Sequence, residues 1–191
     1  LQVFGSLQIR NLATLGGNIG SASPIGDTLP LFIAYKAHIE LQSESLLRTI
    51  PIEEFIKGYR LTDIHADELI TAVHISKPGS NTFIRSYKVS KRKDLDISTV
   101  SGGFSLQLDN GQVKEIILAF GGMAETAKRA SETEKILLGR IWTRSNVEHA
   151  MKILVQEFLP WSDARAGAEY RNLAARNLLL KFYAETSTPS L

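Results

Sequence analysis

Asp109-Asn110-Gly111 sits between two long runs, Ile97 to Leu108 and Val113 to Phe120. Asn-Gly between strand-like segments favours a tight hairpin, because both central residues of the turn must adopt positive φ. Thr82 to Val89 alternates in polarity just upstream, and only the charged loop Ser90 to Asp96 separates it from the hairpin. Three antiparallel strands with short connections follow. Downstream the pattern turns helical. Ser131 with Glu134 and Ser145 with Glu148 have capping-box spacing. Val147, Ala150, Met151, Leu154 and Phe158 fall on one helical face, which must pack on something, most simply the sheet, and Pro160 ends that helix. Ser162-Asp163 opens a last helix carrying Tyr170, Leu173, Ala174 and an apolar stretch to Tyr183; Thr186 to Leu191 reads as a frayed tail.

The first part of the chain has another character. Ala13 to Asp27, ATLGGNIGSASPIGD, packs four glycines, small hydroxyl side chains and an Asn ahead of the apolar run Leu29 to Ala34. Such a stretch reads either as a plain loop or as a bend whose amide N–H groups form an anion-binding concavity. In the second reading Thr14, Ser21 and Ser23 add donors for a phosphate-bearing ligand. It is neither G-x-G-x-x-G nor a P-loop. Asp27 stands where an N-cap would, before a helix to about Lys36, and reads equally as cap or ligand contact. His38 to Gln42 and Leu46 to Ile50 form a hairpin, Ile52 to Phe55 a helical turn, Gly58 to Ala66 a polar loop and Glu68 to Ile75 a strand. Pro78-Gly79-Ser80-Asn81 is the clearest break. The expected division is 1–78, 79–187 and a tail at 188–191.

The chemistry that this composition excludes narrows the function. There is no cysteine among the 191 residues, so thiolate clusters, disulfides and a cysteine nucleophile are ruled out. The four histidines lack metal-ligand spacing, and there is no G-x-S-x-G elbow. Glu53-Glu54 and Asp67-Glu68 read as solvated edges. A formal charge of +2 argues for no nucleic-acid partner, and no apolar run approaches the roughly 18 residues that span a bilayer. With no acid, base or nucleophile of its own, the chain suits a role in which a bound cofactor supplies the chemistry.

Phe4 to Asp27, FGSLQIRNLATLGGNIGSASPIGD, resembles the flavin-binding segment of molybdenum hydroxylase flavoproteins. That family includes the FAD subunit of xanthine dehydrogenase and the medium subunit of carbon monoxide dehydrogenase. Phe55 to Ile70 and Ser86 to Ser98 resemble further family segments on either side of the flavin, and the resemblance runs to about Tyr183. Gly121 to Ala130 and Ser162 to Arg171 also match family strings and read as architectural. The implied fold is α+β: the remainder of a flavin-binding α/β lobe followed by a three-stranded antiparallel sheet packed with helices. The implied FAD contacts are Phe4, Thr14, Leu15, Gly16, Gly17, Asn18, Asp27, Ile70 and Lys88. Thr14, Gly16, Gly17 and Asn18 would hold the pyrophosphate and ribityl region, and Asp27 would accept a hydrogen bond from the flavin or ribityl chain. Ile70 would pack on the ring and Lys88 would lie near its electron-rich part. Without the resemblance, Ile70 is a core strand residue, Lys88 an exposed strand lysine and Lys91-Arg92-Lys93 a solvated basic loop.

The resemblance further implies a fragment. An N-terminal half of the flavin lobe, with another phosphate-binding loop, belongs to the family and matches nothing here. Iron–sulfur clusters and molybdopterin would sit on other segments or subunits of a hetero-oligomer, NAD would accept the electrons, and the location would be cytoplasmic. Leu95 replaces an acidic residue of the animal xanthine oxidoreductases, which argues against their dehydrogenase-to-oxidase switch. Two alternatives stand beside this reading: a carbon monoxide dehydrogenase-like flavoprotein with a different acceptor, and a non-catalytic interaction module without flavin.

Overall fold

The computed structural model describes residues 4–5, 7–92 and 96–187. Its organising layer is a four-stranded antiparallel sheet in the order β6-β7-β8-β9, formed by Thr82–Val89, Val100–Asp109, Gln112–Gly121 and Lys128–Arg129. Asn110 and Gly111 take φ of 49° and 78°, and Asp109 pairs with Gln112 across them, as the two-residue turn requires. The fourth strand, two residues long, goes beyond the three expected. It pairs with Ala119 and Phe120 of β8.

Seven of the ten residues of β7 are buried, because both sheet faces are covered. Alternate side chains go to different cores. Phe104, Leu106, Leu118 and Phe120 point to three C-terminal helices: α5 (Ser131–Leu137), α6 (Arg144–Glu157) and α7 (Ala168–Ser187). Phe104 lies 4.9 Å from Phe120 and 5.5 Å from Phe182, ring centre to ring centre, in edge-on arrangements that aromatic quadrupoles favour. Ile117 and Ala119 point the other way, into the core of the N-terminal lobe.

That lobe begins with α1 (Leu7–Leu12) and α2 (Leu15–Gly20) and continues with α3 (Leu29–Ala34). The expected hairpin is present as β1 (His38–Gln42) and β2 (Leu47–Pro51), followed by the turn α4 (Ile52–Phe55). The stretch expected as a polar loop contains a small hairpin, β3 (Ile56–Gly58) with β4 (Leu61–Thr62), and Arg60 at its tip has φ of 53°. β5 (Leu69–His74) then completes a second sheet in the order β2-β1-β5. Helix α3 lies on β7 and β8 with main chain against main chain: a Cβ at Gly103 would overlap the Pro30 carbonyl. Glycine is needed there for close approach, not for an unusual φ.

Several local expectations are corrected. Glu134 does not close a capping box; its carboxylate accepts from Leu118 N at 2.7 Å and from Arg129, while Glu157 of α6 accepts from Glu132 N and Thr133 N. Helix α6 is capped by Thr143, which accepts from Asn146 N, and Glu148 pairs with Arg144 instead. Glu68 is not a solvated edge: its side chain is 2 % exposed and held by Arg48. Thr186 is not frayed; it is buried and accepts from Trp142 Nε1 at 3.0 Å. Tyr170 and Leu173 are exposed, and the last helix starts at Ala168, with Ser162 Oγ accepting from Ala168 N. Residues 188–191 lie outside the described residues. No helix of the described residues is long and apolar enough to cross a membrane.

Candidate functional site

The glycine stretch is a helix rather than an open concavity. Thr14 takes extended backbone and its Oγ1 accepts from Gly17 N at 2.9 Å, so α2 starts with a side-chain N-cap. Gly16, Gly17 and Gly20 are not among the glycines with positive φ, and a Cβ at Gly16 or Gly20 would meet its neighbours only at ordinary contact distance. Gly16 and Gly20 rest against Ile70 of β5, where a Cβ would sit 3.7 Å and 3.6 Å from Ile70 side-chain carbons. The residue with φ above zero in this segment is Ala22, at 41° and fully buried.

Three adjoining clefts run along the segment. The first, of about 220 Å³, has Phe4, Ile9, Ile25 and Ile97 as apolar walls and Asn18, Asp27, Lys88 and Ser98 as polar lining. The second, of about 140 Å³, shares Phe4 and Asn18 with it and adds Thr14, Leu15 and Thr28. The third, of about 170 Å³, shares Ser23 and Ile25 with the first and is bounded by Tyr59, Arg60, Trp161 and Arg165. Of the nine residues implied by resemblance, the fold therefore brings Phe4, Asn18, Asp27 and Lys88 to one cleft and Thr14 and Leu15 to its neighbour. Gly16, Gly17 and Ile70 do not line these clefts.

Asp27 is not a helix cap. The N-cap of α3 is Thr28, without a side-chain cap bond, and Thr28 Oγ1 donates to Asn18 Oδ1 instead. Asp27 joins the two lobes: it accepts from Lys88 Nζ at 2.7 Å and from Ser98 Oγ. The Lys88 and Asp27 side chains are 10 % and 18 % exposed, so this is an ion pair shielded from solvent. Lys88 is thus a paired cation rather than an exposed strand lysine. Arg10 donates to the carbonyls of Phe4 and Gly5 at 2.9 and 3.0 Å, which ties the Phe4 wall to α1. Lys91 and Arg92 are exposed, as a solvated loop requires, with Lys91 donating to Ala164 O at 3.0 Å and Arg92 pairing with Asp96. Lys93 and Leu95 lie outside the described residues.

Loop 63–68, which leads into Ile70, is pinned by charge. Arg48 donates to both Glu68 oxygens, at 2.6 and 2.8 Å, and to Asp63 at 2.8 Å. The Arg48 guanidinium, helped by His65 N, holds the Glu68 carboxyl at about 2, against the burial that opposes it.

Ser98, Tyr59, Arg60 and Arg171 were missed as site residues by the sequence reading. Arg171 had a legible signal: with Ala175, Leu178 and Phe182 it falls on the buried stripe of α7, where a lone cation must have partners. Ser98 had none, because Thr99, Ser101 and Ser105 follow it with equivalent hydroxyls.

The donor set fits a flavin: apolar walls for a flat ring system, an amide and a hydroxyl beside it, and a charged pair at the polar edge. Comparison with known proteins gives the family. Residues 1–78 match the family described as FAD binding domain in molybdopterin dehydrogenase, and residues 85–186 match CO dehydrogenase flavoprotein C-terminal domain. Nicotinate hydroxylase hnxS of Emericella nidulans is 37 % identical over 190 residues, 96 % of this chain and 14 % of that protein. Xanthine dehydrogenase 1 of Arabidopsis thaliana is 33 % identical over 189 residues, again 96 % of this chain and 14 % of that protein. The chain thus spans about one seventh of the length of these curated relatives. A carbon monoxide dehydrogenase structure from Hydrogenophaga pseudoflava superposes with a TM-score of 0.88 at 27 % identity, covering 94 % of this chain and 62 % of that one. The chain belongs to the FAD-binding flavoprotein family of the molybdenum hydroxylases, of which it carries an FAD-binding segment and the flavoprotein C-terminal domain.

Proposed function

We propose that this chain is the C-terminal part of the FAD-carrying portion of a xanthine dehydrogenase-like enzyme of the cytoplasm. In this reading electrons from iron–sulfur clusters pass through FAD to NAD, while a purine-type substrate is hydroxylated at molybdenum on another segment or subunit. The observation that carries the reading is the Asp27–Lys88–Ser98 junction lining an apolar-walled cleft that adjoins the capped helix α2. Bound FAD supplies the conversion between single-electron transfer and hydride transfer.

The chain's own groups bind, orient and shield. Thr14, Leu15 and Asn18 would hold the phosphate and ribityl region, Phe4 and Ile97 would shield the ring from water, and Asp27 with Lys88 would meet a polar group of the ring. Ile70 and the glycines behind it, with Gly17 bonded to Thr14, fix the seat of α2. The third cleft supports a dinucleotide acceptor: Tyr59 and Trp161 offer faces for a flat base and Arg60 offers a cation for phosphates, while Arg165 is paired with Asp163 of the same lining. The intact complex is expected to contain FAD and to reduce NAD with xanthine. A complex that oxidises xanthine only with another acceptor, or that lacks bound flavin, would refute it. The likeness to carbon monoxide dehydrogenase favours a second reading, a different acceptor and a different substrate, which the same assay distinguishes by carbon monoxide-dependent dye reduction.

A further inference from the structure

Helix α7 carries a buried cation whose partners adjoin contacts of the Pro24–Asp27 segment. Arg171 in its first turns is 3 % exposed, on the face that also buries Ala175, Leu178 and Phe182. Burying a guanidinium is costly unless its N–H groups find acceptors. One terminal nitrogen donates to Thr99 O and to Gly122 O, the latter at 3.0 Å, and the other donates to Asp163 Oδ1 at 2.8 Å. Its Nε is buried without a partner. Asp163 is itself fixed by the amides of Arg165 and Ala166, at 2.8 and 3.1 Å.

Both carbonyls that Arg171 holds are next to bonds that shape the cleft. Ser98, the neighbour of Thr99, donates to Asp27. Gly122 N donates to Pro24 O at 2.7 Å, three residues before Asp27. Gly122 has φ of 80°, and a Cβ there would overlap Thr99 O and lie 3.0 Å from an Arg171 terminal nitrogen, so the packing has no slack. The chain of contacts runs from Asp163 through Arg171 to Thr99 and Gly122, and from these to the Pro24–Asp27 segment.

We propose that Arg171 is the positioning residue for Asp27, acting through the Thr99 and Gly122 carbonyls to set the flavin cleft. This rests on the reading of that cleft as the FAD site. Lysine cannot replace it, because one ammonium cannot span two carbonyls and a carboxylate in the plane that the guanidinium fork occupies.

The test uses the full-length polypeptide that carries this chain. FAD dissociation is followed by flavin fluorescence and ring environment by visible circular dichroism, in the unaltered protein, Arg171→Lys, Ser98→Ala and the double variant. Arg171→Lys is expected to weaken FAD binding about tenfold and to alter the flavin dichroism. The double variant is expected to lose little more than either single one, because both act on Asp27. An Arg171→Lys affinity within twofold of the unaltered protein, or fully additive losses, overturns the proposal. Hydrogen exchange of the Gly26 and Gly122 amides in the FAD-free polypeptide gives a second readout, expected to accelerate at least tenfold in Arg171→Lys. Unchanged exchange overturns the positioning role whatever the flavin does. Absence of FAD binding in the unaltered protein, with faster exchange in the variant, refutes the flavin reading and keeps the positioning of Asp27. Should Arg171→Lys not fold, Asp163→Asn decides: about threefold weaker binding and faster exchange are expected, and no change in either overturns the proposal.

Discussion

Lys88→Met tests the joint between the lobes. The ammonium is 2.7 Å from Asp27 Oδ2 and both side chains are largely shielded. At an effective dielectric of about 20 the bare Coulomb attraction at that separation is about 6 kcal/mol, which desolvation of the two groups reduces. Removing one partner of a buried pair costs about 3–5 kcal/mol, since the other charge is left unpaired. Ser98 still donates to Asp27, so Lys88→Met should lie at the low end, about 3 kcal/mol. Asp27→Asn should cost about 2 kcal/mol, and the double variant about as much as Lys88→Met alone, a coupling of about 2 kcal/mol. Urea unfolding of the 191-residue chain at pH 7, followed by tryptophan fluorescence and far-ultraviolet dichroism, measures all four corners of the cycle. Trp142 is buried in the C-terminal core and reports on its opening. A coupling below about 0.5 kcal/mol would put the pair in the class of exposed ion pairs and refute the argument. In the flavin-loaded full-length protein the same variants carry a sign pattern. Lys88→Met leaves a net negative charge and should lower the flavin potential, Asp27→Asn should raise it, and the double variant should return it near its starting value.

Three further outcomes follow from other parts of the fold. Gly103→Ala should destabilise the chain by about 3 kcal/mol or more, because the new methyl group overlaps main chain that a rotamer change cannot move; a loss under 1 kcal/mol in urea unfolding would contradict the packing described. Glu68 is held at about 2 in the folded chain, below its unfolded value of about 4.3, so its contribution is complete above that value and lost as pH falls towards 2. Urea midpoints should therefore fall below pH 4.5, less steeply in Glu68→Gln; equal slopes count against the Arg48 pair. Finally, the 191-residue chain alone should bind FAD more weakly than about 10 μM by equilibrium dialysis. If the remainder of the flavin lobe supplies about 5 kcal/mol of the binding energy, affinity without it falls by a factor above a thousand. Submicromolar binding would show the cleft to be complete.

Much of the fold was legible because its signals are local. Alternation located β1, β2, β5 and β6 to within a residue or two, and Asn110-Gly111 fixed the β7–β8 hairpin because that turn admits few other residues. The buried face of α6 followed from spacing alone. What failed depended on partners distant in sequence. The capping boxes had the right letters, but Glu134 was claimed by Leu118 and Arg129, and its helix received Glu157 from elsewhere. Glycine-rich composition suggested a loop, yet Thr14 capping and the seat on Ile70 made a helix of it. Six of the nine residues named by resemblance line two adjoining clefts, but the pairing of Asp27 with Lys88 across 61 positions, and the reach of Arg171 behind it, are tertiary facts without a local pattern.

The seat of α3 on Gly103 has a kinetic meaning. Where backbone lies directly on backbone, two lobes have no cushion of side chains to slide or tilt upon, and the walls they contribute hold their spacing in the empty protein. Whatever enters between them would find these walls already spaced, so this part of the cleft would need little ordering on binding. Electron donors and acceptors gathered around such walls would keep fixed separations through every turnover. Gly103, remote from any chemistry, would then govern the regularity of the traffic.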